Sequence, residues 1–174
     1  MATKRAIYIC IILIIATWLL GSITEVGAQS YTLKCRETGH MPKVHVIEVG
    51  DVPGHIVLVG ENAGVLSCDD GSIATTSTKW MTDMTKGSGK SLAYELISYE
   101  DGSTTWVKSK TTVTAEPERK TGRWEGTFEY VKGTGRFEGI RGSASYTGKR
   151  LVSTPSAGAQ YYVDLTITYT LPSK

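Results

Sequence analysis

Cysteine, proline, histidine and asparagine are scarce in this sequence, and neither sign of charge dominates. Three Cys in 174 residues are too few for a disulfide-dense miniprotein, and five Pro exclude a collagen-like chain. Asn62 is the only asparagine and is followed by Ala63-Gly64, so there is no N-glycosylation sequon. The formal charge of +2 is too small for the concentrated basic surface that binds phosphates, and no nucleic-acid partner is expected. With 40% hydrophobic residues the chain can bury a core, which excludes disorder. Its length suits a single domain.

One long apolar run exists, from Ala6 to Leu20, preceded by Lys4-Arg5 and followed by a polar stretch ending in Val26-Gly27-Ala28. A basic start, an apolar stretch of about 7–15 residues and small residues before the cut define a secretory signal peptide. Fifteen or so residues fall short of the roughly 20 that span a bilayer. Residues 1–28 are therefore read as a signal peptide and 29–174 as the product, secreted or periplasmic, with no membrane association after cleavage. Lys4, Arg5 and Glu25 leave with the peptide, as does Cys10. Cys35 and Cys68 remain as an even pair. In an oxidising compartment they are disulfide candidates, and closing that loop would stabilise by about 3–4 kcal/mol. Two separate buried thiols are the other reading, and the Cα separation decides between them.

The product also lacks any stretch with the i, i+3, i+4, i+7 spacing of an amphipathic helix; it alternates instead. Tyr161, Val163, Leu165, Ile167, Tyr169 and Leu171 are interleaved with Tyr162, Asp164, Thr166, Thr168 and Thr170, the period of two expected of a strand with one buried face. Trp124–Tyr130 repeats the pattern with its aromatics on one face and Glu125 and Glu129 on the other. Further strands are predicted at Lys43–Val49, His55–Gly60, Val65–Cys68, Leu92–Tyr99, Thr104–Val113 and Ser143–Val152. Asp70-Gly71 and Asp101-Gly102 suit the positive φ angles of tight hairpins. About eight short strands without a linker predict a single all-β domain, an antiparallel sandwich or a closed barrel, and closure removes exposed edges.

Lys132–Gly142 places four glycines, Gly133, Gly135, Gly139 and Gly142, between two good strands. The spacing G-x-G-x-x-x-G, with a strand to follow, does not match a dinucleotide fingerprint, which needs a helix. A tight connection whose Phe137 and Ile140 plug the barrel end is the reading adopted. The stretch Gly133-Thr134-Gly135-Arg136-Phe137-Glu138-Gly139-Ile140-Arg141-Gly142 resembles the glycine-rich signature of the allene oxide cyclase and dirigent families. The resemblance implies an eight-stranded antiparallel barrel with a central cavity, often a homotrimer, in which the four glycines are structural. The catalytic residues of those families find no match here.

Chemistry-bearing residues are few. His40, His45 and His55 are close in sequence, but His45 and Glu48 fall on opposite faces of their strand, so no metal site is expected. No G-x-S-x-G elbow is present. Among carboxylates, Glu48 and Glu95 lie beside apolar neighbours, where burial would raise their pKa and suit proton transfer. Among aromatics, Trp106, Trp124, Phe128 and Tyr130 are candidates to line a pocket. No cofactor is expected. These features favour a barrel binding a small apolar or amphipathic molecule without chemistry. A cyclase- or isomerase-like enzyme acting on a flexible apolar substrate is the alternative.

Overall fold

The computed structural model describes residues 29–116, 118, 121–151 and 157–173; the predicted signal segment 1–28 lies outside them. Eight strands follow one another along the chain: β1 (Gln29–Glu48), β2 (His55–Cys68), β3 (Ile73–Thr85), β4 (Ser88–Tyr99), β5 (Thr104–Glu116), β6 (Thr121–Gly133), β7 (Arg141–Arg150) and β8 (Ala159–Leu171). Each pairs antiparallel with the next, and β8 returns to β1, closing the barrel. The seam runs from Gln29 opposite Leu171 to Met41 opposite Ala159. Among the described residues there is no α-helix.

Three strands differ from the sequence expectation. β1 begins at Gln29 rather than Lys43, because a bulge between His40 and Lys43 breaks the alternation in mid-strand. β2 is continuous where two strands were expected, since the small Gly60–Gly64 stretch stays in register with both neighbours. β3 was not anticipated: Ile73–Thr85 is rich in Thr, and its inward face carries Thr76, Thr78 and Thr82 rather than an apolar series. That polarity erases the period-two hydrophobic signal.

Cys35 and Cys68 are directly opposite each other on β1 and β2 and are joined by a disulfide. The bridge is compatible with an oxidising, extracytoplasmic compartment.

Phe137 and Ile140, both buried, close one end of the barrel. They are held by a 3-10 turn, Gly135–Phe137, in the glycine-rich connection. Gly135 and Gly139 adopt φ of +61° and +76°, the left-handed region that favours glycine. Gly133 and Gly142 provide close approach, because a Cβ on either would collide with backbone oxygen, and Gly142 also has a positive φ, +148°. An aromatic layer packs on the plug. Tyr31 stacks on Tyr169 at 4.9 Å, Tyr99 leans on Phe137 at 4.6 Å, and Tyr130 meets Tyr169 edge-on at 6.2 Å.

Inward glycines on the strands let large side chains lie across a neighbouring strand. Gly126 on β6 stands between Tyr146 on β7 and Thr111 on β5, and the Tyr146 hydroxyl lies 2.6 Å from Thr111 Oγ1 across it. A Cβ at position 126 would sit 2.5 Å from the Lys110 carbonyl oxygen and 2.7 Å from the Tyr146 ring. Overpacking of this kind costs about 1–3 kcal/mol. Gly126→Ala is therefore expected to lower the free energy of unfolding by that amount, read from denaturant unfolding followed by far-UV circular dichroism; an unchanged midpoint would show that Tyr146 does not need the gap.

Candidate functional site

Within the barrel is a cavity of about 110 Å³, extending from Glu37, Glu95 and Phe128 at mid-height towards Met84, Val113 and Arg150 at the end opposite the plug. Its wall combines aromatic faces, from Trp80, Trp124, Phe128, Tyr146 and Tyr161, with two carboxyl groups.

Alternation along β1 places Glu37 inward with Cys35 and Met41, all three buried. Its Oε1 accepts hydrogen bonds from the Tyr161 hydroxyl at 2.6 Å and the Thr76 hydroxyl at 2.8 Å. Both reach it past glycines. Tyr161 is paired with Gly39, and a Cβ on Gly64 would stand 2.9 Å from both Glu37 Oε1 and Thr76 Oγ1. Burial pushes the Glu37 carboxyl up, against the opposing effect of these two hydrogen bonds.

Glu95 is placed inward on β4 opposite Thr78, whose hydroxyl is its hydrogen-bond partner. Burial pushes its carboxyl well above the usual range, and the negative charge of Glu37 pushes the same way. Two carboxylates in one low-dielectric space cannot both ionise cheaply. Buried Tyr146 and Tyr161 have pKa values raised chiefly by desolvation, so they remain neutral hydroxyls. Trp80 lies over Gly60, and its indole Nε1 donates to Asn62 Oδ1 at 2.6 Å.

Of the residues singled out from sequence, Glu95, Trp124 and Phe128 line the cavity. Glu48 does not: it is exposed, on the part of β1 beyond the bulge. Trp106 is 41% exposed on the outer face, because Thr105, Val107 and Ser109 are the inward residues of β5. Tyr130 belongs to the aromatic layer at the plugged end, where it meets Phe128 edge-on at 5.5 Å. Glu37, Trp80, Tyr146 and Tyr161 join the site without having been named as candidates. The signal was present for Glu37, which shares its face with Leu33, Cys35 and Met41.

The three histidines are apart. His40 and His45 are exposed, while His55 lies between two carboxylates, with Nδ1 2.6 Å from Asp51 Oδ1 and Nε2 2.9 Å from Asp83 Oδ1. Among the described residues, no group of three or more His, Cys, Asp or Glu side chains converges to hold a metal. An acceptor at each ring nitrogen favours the imidazolium, so the hydrogen bonds to Asp51 and then Asp83 raise the His55 pKa.

No protein-family model and no curated protein sequence matches the chain. Solved structures do. The structure of the pterocarpan synthase dirigent protein GePTS1 superposes with a TM-score of 0.52 at 15% identity, over 87% of this chain and 96% of that one. That of the pterocarpan synthase dirigent protein PsPTS1 gives 0.51 at 13% identity, over 87% and 100%. The conserved protein of unknown function RPA1785 from Rhodopseudomonas palustris gives 0.52 at 10% identity, over 82% and 98%. Together, strand order and cavity define a closed meander barrel with a lined interior. Its fold is that of the dirigent-like barrels.

Two pH effects follow. A carboxyl with a raised folded pKa holds a proton that the unfolded chain has lost, so stability falls as pH rises from the ordinary value near 4.5 towards the folded one. Glu95→Gln is expected to raise the melting temperature by more at about pH 8 than at about pH 5; an equal offset at both would show that Glu95 does not titrate between them. A raised histidine contributes stability below its unfolded pKa of about 6.5, and this is lost as pH rises through the folded value. The melting temperature of His55→Gln should therefore lie furthest below wild type in mild acid and converge on it in alkali.

Proposed function

We propose that this protein is a secreted or periplasmic barrel that binds one small apolar or amphipathic molecule in its interior, without chemistry. The lined cavity carries the reading: aromatic walls supply apolar contact, and a few polar groups supply orientation, as in most small-molecule sites. An engineered cavity of about 150 Å³ holds benzene, so a space of about 110 Å³ suits a ligand of a few heavy atoms. The disulfide and the signal-like N-terminus support the location, and the resemblance to barrel families that trimerise supports a homotrimer.

A second reading, a cyclase- or isomerase-like enzyme, draws on Glu95, whose carboxyl burial raises well above the usual range, as suits proton transfer. It also draws on the likeness in fold to the dirigent proteins that are pterocarpan synthases. The cavity limits that reading to a compact substrate.

Native mass spectrometry of the purified protein, followed by calorimetric titration with benzene, a molecule of the size the space suits, tests the binding reading. A retained small molecule or saturable benzene binding is expected, weakened by Trp124→Ala and unchanged by Trp106→Ala. An empty protein that takes up no benzene would overturn it. Turnover of any substrate found, abolished in Glu95→Gln, would favour the enzyme instead.

A further inference from the structure

Glu37 and Glu95 face one cavity, and among the described residues no cation acts on either. The one cationic side chain among the described lining residues is Arg150, whose guanidinium lies against the inner face of Gly122, where a Cβ would be 3.1 Å from Nη2, at the end of the cavity opposite the plug. The charged neighbour acting on Glu95 is Glu37, which repels it. The titratable groups that feel Glu95 from the other strands are Tyr130 on β6, Tyr146 on β7 and Tyr161 on β8, all neutral hydroxyls at physiological pH. On the flanking strands β3 and β5, Glu95 is paired with Thr78 and Val107, which carry no charge.

The space beside these carboxyls is walled by rings. Trp80, Trp124, Phe128, Tyr146 and Tyr161 present π-systems to the same cavity as the two acids. A ring face attracts a cation, most strongly where water is excluded. Apolar walls, ring faces and an uncompensated carboxyl pair are therefore complementary to a ligand with a positive head and a short hydrocarbon body. An anion placed beside Glu37 and Glu95 would be repelled by either of them once ionised. A neutral molecule would leave the pair to be neutralised by protons alone.

We propose that the cavity selects a small organic ammonium ion, its charged head held by Glu95 and Glu37 and its hydrocarbon part against Trp80, Trp124 and Phe128. This rests on the reading of the barrel as a ligand-binding protein and names the class of ligand. Binding is an exchange of charge. The ammonium ion enters with its N–H bonds intact, a protonated Glu95 gives its proton to solvent, and the resulting carboxylate accepts hydrogen bonds from the ammonium group. Where Glu95 is protonated beforehand a proton is released on binding, and affinity rises with pH across the range in which Glu95 titrates.

Isothermal titration calorimetry with n-butylamine, n-butanol and sodium butyrate, compounds of similar size that differ in charge, provides the test. At about pH 7 the amine is expected to bind at least about tenfold more tightly than the alcohol, and the butyrate not to bind. Repeating the amine titration at about pH 5, near the ordinary carboxyl range and below the raised Glu95 value, in buffers of different ionisation enthalpy should show proton release. Glu95→Gln, with its fold checked by circular dichroism, should weaken the amine by about tenfold or more and leave the alcohol unchanged. The proposal is overturned if the alcohol matches the amine, if no proton is released by the wild type, or if Glu95→Gln binds the amine normally. If none of the three compounds binds while benzene does, the ammonium proposal fails and the ligand-binding reading stands. If benzene also fails, both fall.

Discussion

The β1–β8 seam, in which Gln29 to Met41 pair with Leu171 to Ala159, turns a chain of hairpins into a barrel and decides which side chains are shut away from water. An open eight-stranded sheet would expose its inner face and two unpaired edges. Once closed, the interior is a fixed volume to which every strand contributes alternate residues. Apolar side chains fill it at the glycine-rich end, around Phe137, Ile140 and Tyr169. Towards the other end, Leu58, Met84 and Val113 form a second, smaller cluster, with the cavity between the two.

Within that volume, side-chain length has been traded between neighbouring strands. Where Tyr146, Tyr161 and Trp80 project inward, the facing strand supplies Gly126, Gly39 and Gly60. The rings lie flat across the gap and bring their polar tips to Thr111, Glu37 and Asn62. The interior is thus partly polar, yet many of its hydroxyl and carboxyl groups find partners on another strand. Glu37 is the clearest case, satisfied from β8 and β3 at once.

The barrel class was legible because β8, β6 and the glycine-rich connection carry strong local signals: strict alternation, then residues that turn the chain. β3 was not, because a strand facing a polar cavity carries threonine where a strand facing a core carries valine or leucine. The same inversion explains the aromatics. Alternation shows that Trp106 and Thr105 point to opposite sides, but hydrophobicity then assigns the tryptophan to the inside, and here Thr105 is the buried one. Tyr130 faces inward but at the wrong height, and height along a barrel depends on strand stagger, which pairing alone reveals. For Glu48, the bulge in β1 carries the strand beyond the seam, so the apolar neighbours Val46 and Ile47 are exposed with it. Glu95 could be found because its neighbours keep one phase throughout β4.

The disulfide joins residues 33 apart in sequence, whereas the seam joins residues from the two ends of the described chain. Contacts between such distant segments are the slow ones to form, because a long loop must close before they reward it. Cys35 belongs to both structures, facing Cys68 on one side and Leu165 on the other. A chain oxidised early presents β8 with a β1–β2 hairpin already covalently held, so the late step becomes the docking of one strand onto a prepared edge. The bridge thus secures β1 on one side, and the seam secures it on the other.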